Sequence, residues 1–226
     1  MTDRFFRALA KEAAARYPAR DRYARHFAYG KLTGDPVFAH LLRGGLVPGG
    51  AHLLDRHGAR ATFFCIGERA ERHPELVREI VRRGHTVENH SRGHRVTFAL
   101  MGLGGIRGEI ESAQRTLAEL TGRAPRFFRP PAGIHSPLLD PVLHAMGLEL
   151  VSWTRRGFDT RRTDAAEVVA LLTQDLAAGD ILLLHDGHCA RTVDGQPVAI
   201  EALANLLDAA RKQGLRAVTL SQAIDS

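Results

Sequence analysis

From about residue 60 onward this sequence predicts an α/β fold: a parallel sheet with helices on both faces. Three observations carry that prediction. Short, continuously apolar runs such as 61–66 and 181–184 alternate with amphipathic stretches at helical spacing. The helical stretches end at glycines and the strand 126–129 at a proline pair, so the elements are punctuated rather than continuous. The residues able to do chemistry follow the apolar runs directly, at strand C-terminal ends, where α/β proteins gather their sites.

Taken in order, residues 61–66 form the first predicted strand and 74–83 a helix closed by Gly84. Residues 86–89 make a short strand that leads into His90. Ile106, Ile110, Ala113, Leu117 and Leu120 recur at helical spacing, so 106–120 is a helix with Gly122 as its stop. A strand at 126–129 ends at Pro130-Pro131, followed by a helix at 141–145 and a strand at 148–153. Thr163 or Asp164 caps a helix at 165–176. A strand at 181–184, a helix at 199–212 ending at Gly214 and a last strand at 217–220 complete the chain. That count is six strands, at least one short of a barrel.

The first 55 residues read differently. Residues 3–17 predict a basic amphipathic helix, 36–43 a short helix, and 44–50 a glycine-rich turn around Pro48, with no strand. The chain therefore divides into an atypical, mainly helical segment at 1–55 and an α/β domain at 56–226.

With 226 residues there is enough chain for one sizeable core. A hydrophobic fraction of 44% and a charged fraction of 25% are ordinary for a globular protein. The charge of +6 comes from arginines spread over amphipathic stretches, without interleaved aromatics, which argues against a nucleic-acid partner. Cys65 and Cys189 form no C-x-x-C pair, and nothing requires an oxidising compartment. Residues 1–17 lack an apolar core of signal-peptide type, and no run approaches a membrane span, so the expected location is cytoplasmic. Oligomeric state is not legible.

His90 and His94, in H-S-R-G-H, can place two imidazoles on one divalent metal, for which zinc is the natural fit. Alone, such a pair is as compatible with a bland surface or core role. Arg129 precedes Pro130-Pro131-Ala132-Gly133, where fixed and permissive backbone aims it in a defined direction. An arginine so aimed would keep a neighbouring carboxylate ionised. His185 follows three leucines and can donate a proton to a leaving amine. Asp159 can orient His185 or pair with Arg155 or Arg156.

Together these segments resemble the polysaccharide deacetylase family, the carbohydrate esterases (family 4) that share the NodB-homology domain. The resemblance runs from about Leu53 to the end, and its motifs keep the family's order: R-A-T-F-F-C-I-G at 60–67, H-S-R-G-H at 90–94, R-P-P-A-G at 129–133, V-S-W at 151–153 with Asp159, and G-D-I-L-L-L-H-D at 179–186. It implies a deformed (β/α) barrel and a divalent metal, usually zinc, on His90 and His94. It also implies His185 as general acid tuned by Asp159, and Arg129 as partner of the general base. Pro130, Trp153 and Leu183 would be substrate-binding, the last two lining the acetyl or sugar pocket, and the substrate would be an N-acetylated glycan or amino-sugar conjugate.

One element of that pattern is absent. The family opens with a strand ending in a T-F-D-D-G-like motif, whose aspartates are the base and the third metal ligand. Counting back from Phe64 lands at Val37-Phe38-Ala39-His40, and no Asp-Asp pair exists anywhere in the chain. The stretch from Phe27 to Phe38, and then Leu46 to Asp55, instead resembles the leader of class I S-adenosylmethionine-dependent methyltransferases, without a cofactor motif. The expected fold is thus an incomplete barrel, its first strand missing or replaced, as in a gene fusion. Three outcomes follow: a metal-dependent deacetylase with His40, Asp35 or another side chain recruited; an inactive carbohydrate- or partner-binding relative; or a folding-compromised remnant with exposed sheet edges.

Overall fold

The structure, a computed structural model, describes residues 37–42, 48–134 and 136–225. Seven parallel strands form one sheet in the order β5-β4-β3-β2-β1-β7-β6. They are β1 (Val37–Leu42), β2 (Ala61–Cys65), β3 (Thr86–Asn89), β4 (Phe127–Phe128), β5 (Glu149–Leu150), β6 (Arg155–Arg156) and β7 (Ile181–His185). The helices are α1 (Pro48–Arg56), α2 (Gly67–Arg72), α3 (Pro74–Arg82), α4 (Leu103–Thr121), α5 (Leu139–Ala145), α6 (Ala165–Thr173), α7 (Val198–Lys212) and α8 (Leu220–Asp225). None of the described helices is long and apolar enough to cross a membrane.

Strand side chains sort by the two-residue period of extended chain. Phe63 and Cys65 of β2 and Leu182 and Leu184 of β7 face a core shared with α1, α3, α6 and α7. Phe64, Ile181 and Leu183 point the other way, into a second cluster with Phe127 and Val151. Strands far apart in the sheet order thus meet on one inner face, which requires the sheet to curl. The edges make the same point. Only four residues separate β5 from β6, a reach of at most about 18 Å, whereas the edges of a flat seven-stranded sheet lie about 29 Å apart. The amide of Val151 bonds the carbonyl of Phe128, and that of Thr154 the carbonyl of Ile181, at 2.9 Å each. A single stretch of chain therefore joins both edges.

Two sequence expectations are corrected. The predicted helix at 36–43 is the central strand β1, in register with β2 (Phe38 opposite Ala61) and with β7 (Phe38 opposite Leu182). A six-residue apolar run cannot be told from a helix segment by periodicity. Here the unpaired flanks of β2 and β7 decide it, because buried backbone groups need partners. The strand slot is thus filled by a replacement, and the exposed edges expected of a remnant are covered. The predicted last strand at 217–220 is reduced to a single bridging residue, Val218. The Ala217 carbonyl accepts from the Arg60 amide at 3.0 Å, and α8 begins at Leu220. Thr219 and Gln222 bond each other's backbone amides, at 3.2 and 3.0 Å, as a capping box, a T-x-x-Q signal present in the sequence. The helix expected at 3–17 lies outside the described residues.

Candidate functional site

Because every strand is parallel, the loops after β3, β4, β6 and β7 leave from one end of the sheet. His90 leaves β3 with its amide on the carbonyl of Cys65 at 3.1 Å. Its ring Nδ1–H donates to the Arg129 carbonyl at 2.7 Å, which fixes the tautomer and leaves the Nε2 lone pair as the ligating end. The His90 and His94 rings meet edge to face with centroids 4.7 Å apart. No helix sets this spacing; a strained loop does. Ser91 and His94 both hold positive φ, 64° and 51°. Asn89 Oδ1 accepts from the Ser91 amide and Glu109 from the Gly93 amide, each at 2.9 Å. Asn89 is itself tied to Gln114 on α4. These anchors escaped the sequence reading, although Asn89 immediately precedes the motif.

Glu88, one residue earlier, is fully buried. It accepts from the amides of Arg126 and Phe127 at 2.7 and 2.8 Å and from Arg123 at 2.9 Å, tying β3 to the start of β4. Burial pushes its carboxyl up to about 7, against those hydrogen bonds.

Arg129 is fully buried. Its guanidinium lies 4.1 Å over the Phe64 ring and donates to the carbonyls of Val151 and Ser152, at 3.2 and 2.7 Å. Its remaining nitrogen, Nη1, has no partner among the described residues, and no described carboxylate pairs with Arg129. Burial alone depresses its pKa to about 9, a cost on the order of several kcal/mol to the charged form.

His185 ends β7. Asp159 accepts from its Nδ1 at 2.9 Å and from its backbone amide at 2.6 Å, and both residues are buried. The open choice for Asp159 is thereby decided, since Arg155 pairs with Asp180 at 2.7 Å instead. Phe158, just before Asp159, holds φ 56°, a strained conformation in a bulky residue that aims the carboxylate back at β7.

His185 lies level with Leu41 of β1, and Leu41 is also level with Phe64. Residues 37–42 contain no Asp or Glu, so the central strand brings no acid to this level. His40 lies one step deeper, opposite Phe63 and Leu184, and Asp35 is outside the described residues. Among the described residues no group of three or more His, Cys, Asp or Glu is placed to share a metal ion. A catalytic zinc takes three protein ligands and a water, so the two imidazoles do not by themselves fit a resident zinc.

The residues expected to contact substrate are placed as follows. Pro130 is buried, and Leu183 is packed into the inner cluster with Trp153 against it. Trp153 also covers Gly133, where an added Cβ would lie 2.3 Å from the indole and φ is 71°, so only glycine fits. A cavity of about 260 Å³ lies instead beside Ile66, Arg69, Gly93, His94 and His188.

Comparison with known proteins fits this arrangement. The polysaccharide deacetylase family model matches residues 44–151. A peptidoglycan-N-acetylglucosamine deacetylase of Bacillus cereus is 32% identical over 75% of this chain and 78% of its own. A chitooligosaccharide deacetylase of Azorhizobium caulinodans is 34% identical over 63% and 68%. Among solved structures, a family 4 carbohydrate esterase from Streptomyces lividans, in complex with acetate, superposes with a TM-score of 0.73 at 26% identity, covering 82% of this chain and 92% of that one. A family 4 pseudoenzyme from Bacillus anthracis shares the fold at TM-score 0.77 and 20% identity, over 85% of this chain and 66% of that one. The chain belongs to the polysaccharide deacetylase family.

Proposed function

We propose that this chain acts on the acetamide of N-acetylated sugars or polysaccharide, with the proton-donating half of a deacetylase site and without its base. The observation that carries the reading is the buried His185–Asp159 pair at the end of β7. Hydrolysis adds water to the acetyl carbon, breaks the C–N bond and yields acetate and the free amine. Asp159 holds the Nδ1–H of His185 and stabilises the imidazolium, so that Nε2–H can protonate the departing nitrogen. Loss of a positioned base costs about 10²–10⁴-fold in rate. No step is routed through a metal, because the described residues supply two ligands rather than three.

A second reading, a catalytically inactive glycan-binding relative, is favoured by Arg129, which is buried and finds no carboxylate among the described residues. The purified chain, with chitooligosaccharides and a divalent metal supplied, separates the two. Acetate release that His185→Ala lowers supports slow hydrolysis. Saturable binding without acetate supports the inactive reading. If neither is seen, the glycan itself is the wrong substrate.

A further inference from the structure

The cavity of about 260 Å³ beside the histidine motif takes no part in the chemistry above. Three loops and a helix build it: Ile66 follows β2, Gly93 and His94 follow β3, His188 follows β7, and Arg69 reaches in from α2. In the sheet β1 runs between β2 and β7, so loops from both sides of the acid-free strand meet here. The lining is chemically one-sided. None of the described residues that line the cavity is acidic. The side chains of Arg69 and His188 are exposed and make no hydrogen bond or ion pair among the described residues. The neighbouring arginines differ, since Arg92 pairs with Glu71 and Arg95 with Glu109. Glu109 also accepts from the Gly93 amide, so that backbone donor is already taken. Glu68 is the acid that comes near, its Oε1 3.6 Å from where a Cβ on Gly93 would stand, yet it does not line the cavity.

We propose that this cavity is a subsite for a carboxylate carried by the sugar next to the one whose acetamide is the target. The inference rests on the function proposed above and names the substrate feature that the site selects. The guanidinium of Arg69 presents a planar fork of N–H donors that matches a carboxylate, and the His188 imidazole adds a further N–H. Those donors fit a carboxylate's two oxygens, whereas a phosphate presents three. Position favours the neighbouring sugar over the reacting one. His94 belongs to the cavity and to the histidine pair alike, but His188 lies three residues beyond His185, a reach of at most about 11 Å. The cavity therefore borders the acetamide position without coinciding with it. Its volume lies just below the range of small-ligand pockets, about 300 Å³ and upward, which suits one substituent of a glycan better than a whole oligosaccharide.

The test is calorimetric titration of the full chain, in the presence of a chelator, with three disaccharides of nearly one shape. They are N,N′-diacetylchitobiose, N-acetylglucosaminyl-N-acetylmuramic acid, and the methyl ester of the latter. The acid should bind about five- to tenfold more tightly than its ester and than diacetylchitobiose, and added salt should erode the difference. Arg69→Gln with His188→Gln should bring the three affinities together, and Arg69→Glu should make the acid the weakest ligand. Both side chains are exposed, and circular dichroism confirms the fold of each variant. Equal binding of acid and ester by the parent overturns the inference while leaving the proposed function standing. Absence of binding by all three overturns both. A preference for the acid that survives Arg69→Glu, or that needs a divalent metal in place of the chelator, also overturns it, because the carboxylate would then be held elsewhere. Tighter binding of the acid without acetate release from any of the three upholds the subsite and favours the inactive reading.

Discussion

On the β6–β7 side of the cleft, Asp159 and His185 make a closed, buried pair with both carboxylate oxygens occupied. On the β1 side, a six-residue strand of the right length and register stands where an acidic pair would complete the site, and it contains no acid. The contrast separates what a fold asks of a strand from what a reaction asks of it. A central parallel strand must supply backbone donors and acceptors and apolar bulk, and V-F-A-H-L-L meets that demand between β2 and β7. Base chemistry needs one carboxylate at one level, and no amount of packing substitutes for it. Arg129 records the mismatch: it is held by the carbonyls of Val151 and Ser152 and the ring of Phe64, with no carboxylate partner among the described residues.

The sharpest way to break the contrast is to return the acid. Leu41→Asp places a carboxylate level with His185, and acetate release from chitooligosaccharides should rise about 10²–10⁴-fold. The same variant changes what His185 is worth. In the parent chain the base is absent, so His185→Ala should cost less than about tenfold. In the Leu41→Asp background it should cost about 10²–10⁴-fold, because residues that act as a unit are not additive. Equal losses in the two backgrounds would mean that the halves do not act together.

Arg129 gives the next largest effect, read as stability rather than rate. A buried charge without its counter-charge is a burden that well-packed apolar atoms relieve, so Arg129→Met should raise the unfolding free energy by about 1–4 kcal/mol. In the Leu41→Asp background the sign should reverse, since the substitution would then strand a buried carboxylate. Urea unfolding of the four proteins closes the cycle, and a destabilised Arg129→Met in the parent would show that its carbonyl and ring contacts outweigh its burial.

Much of this arrangement was legible in the sequence, and its gaps have physical causes. Ile181–His185 and Ala61–Cys65 read as strands because both faces are buried and their apolar runs are unbroken. His90 and His185 were singled out because each ends a predicted strand, His94 by its spacing from His90, and Asp159 by its place after the strand at 148–153. β1 was missed because its apolar run has no period to read, and its identity comes from neighbours far along the chain. The burial of Arg129 and the strain at Ser91 and Phe158 were also out of reach, since they depend on what surrounds them. The capping box at Thr219 was in plain view, but the apolar A-V-T-L before it drew the strand assignment.

The smallest effect tests whether the histidine side of the cleft owes its shape to the scaffold. His85 sits just before β3, its Nδ1 accepting from the Ala61 amide at 3.3 Å, and burial, reinforced by the charge of Arg60, lowers its pKa to about 4. A depressed histidine contributes stability that is present above its unfolded pKa, about 6.5, and lost as pH falls through 4. Glu88 works in the opposite sense: raised to about 7, it contributes stability below about 4.5 that is lost as pH rises through 7. Each is worth at most about 3 kcal/mol, and between pH 4.5 and 6.5 the two slopes oppose. The parent should therefore unfold at nearly constant urea concentration across that window. In His85→Asn, which keeps an acceptor for the Ala61 amide, only the slope of Glu88 remains, so the midpoint should climb as pH falls from 7 to 4.5. A parent and variant with parallel profiles would mean that His85 does not titrate with folding, and that β3 is held in place by something other than its buried base.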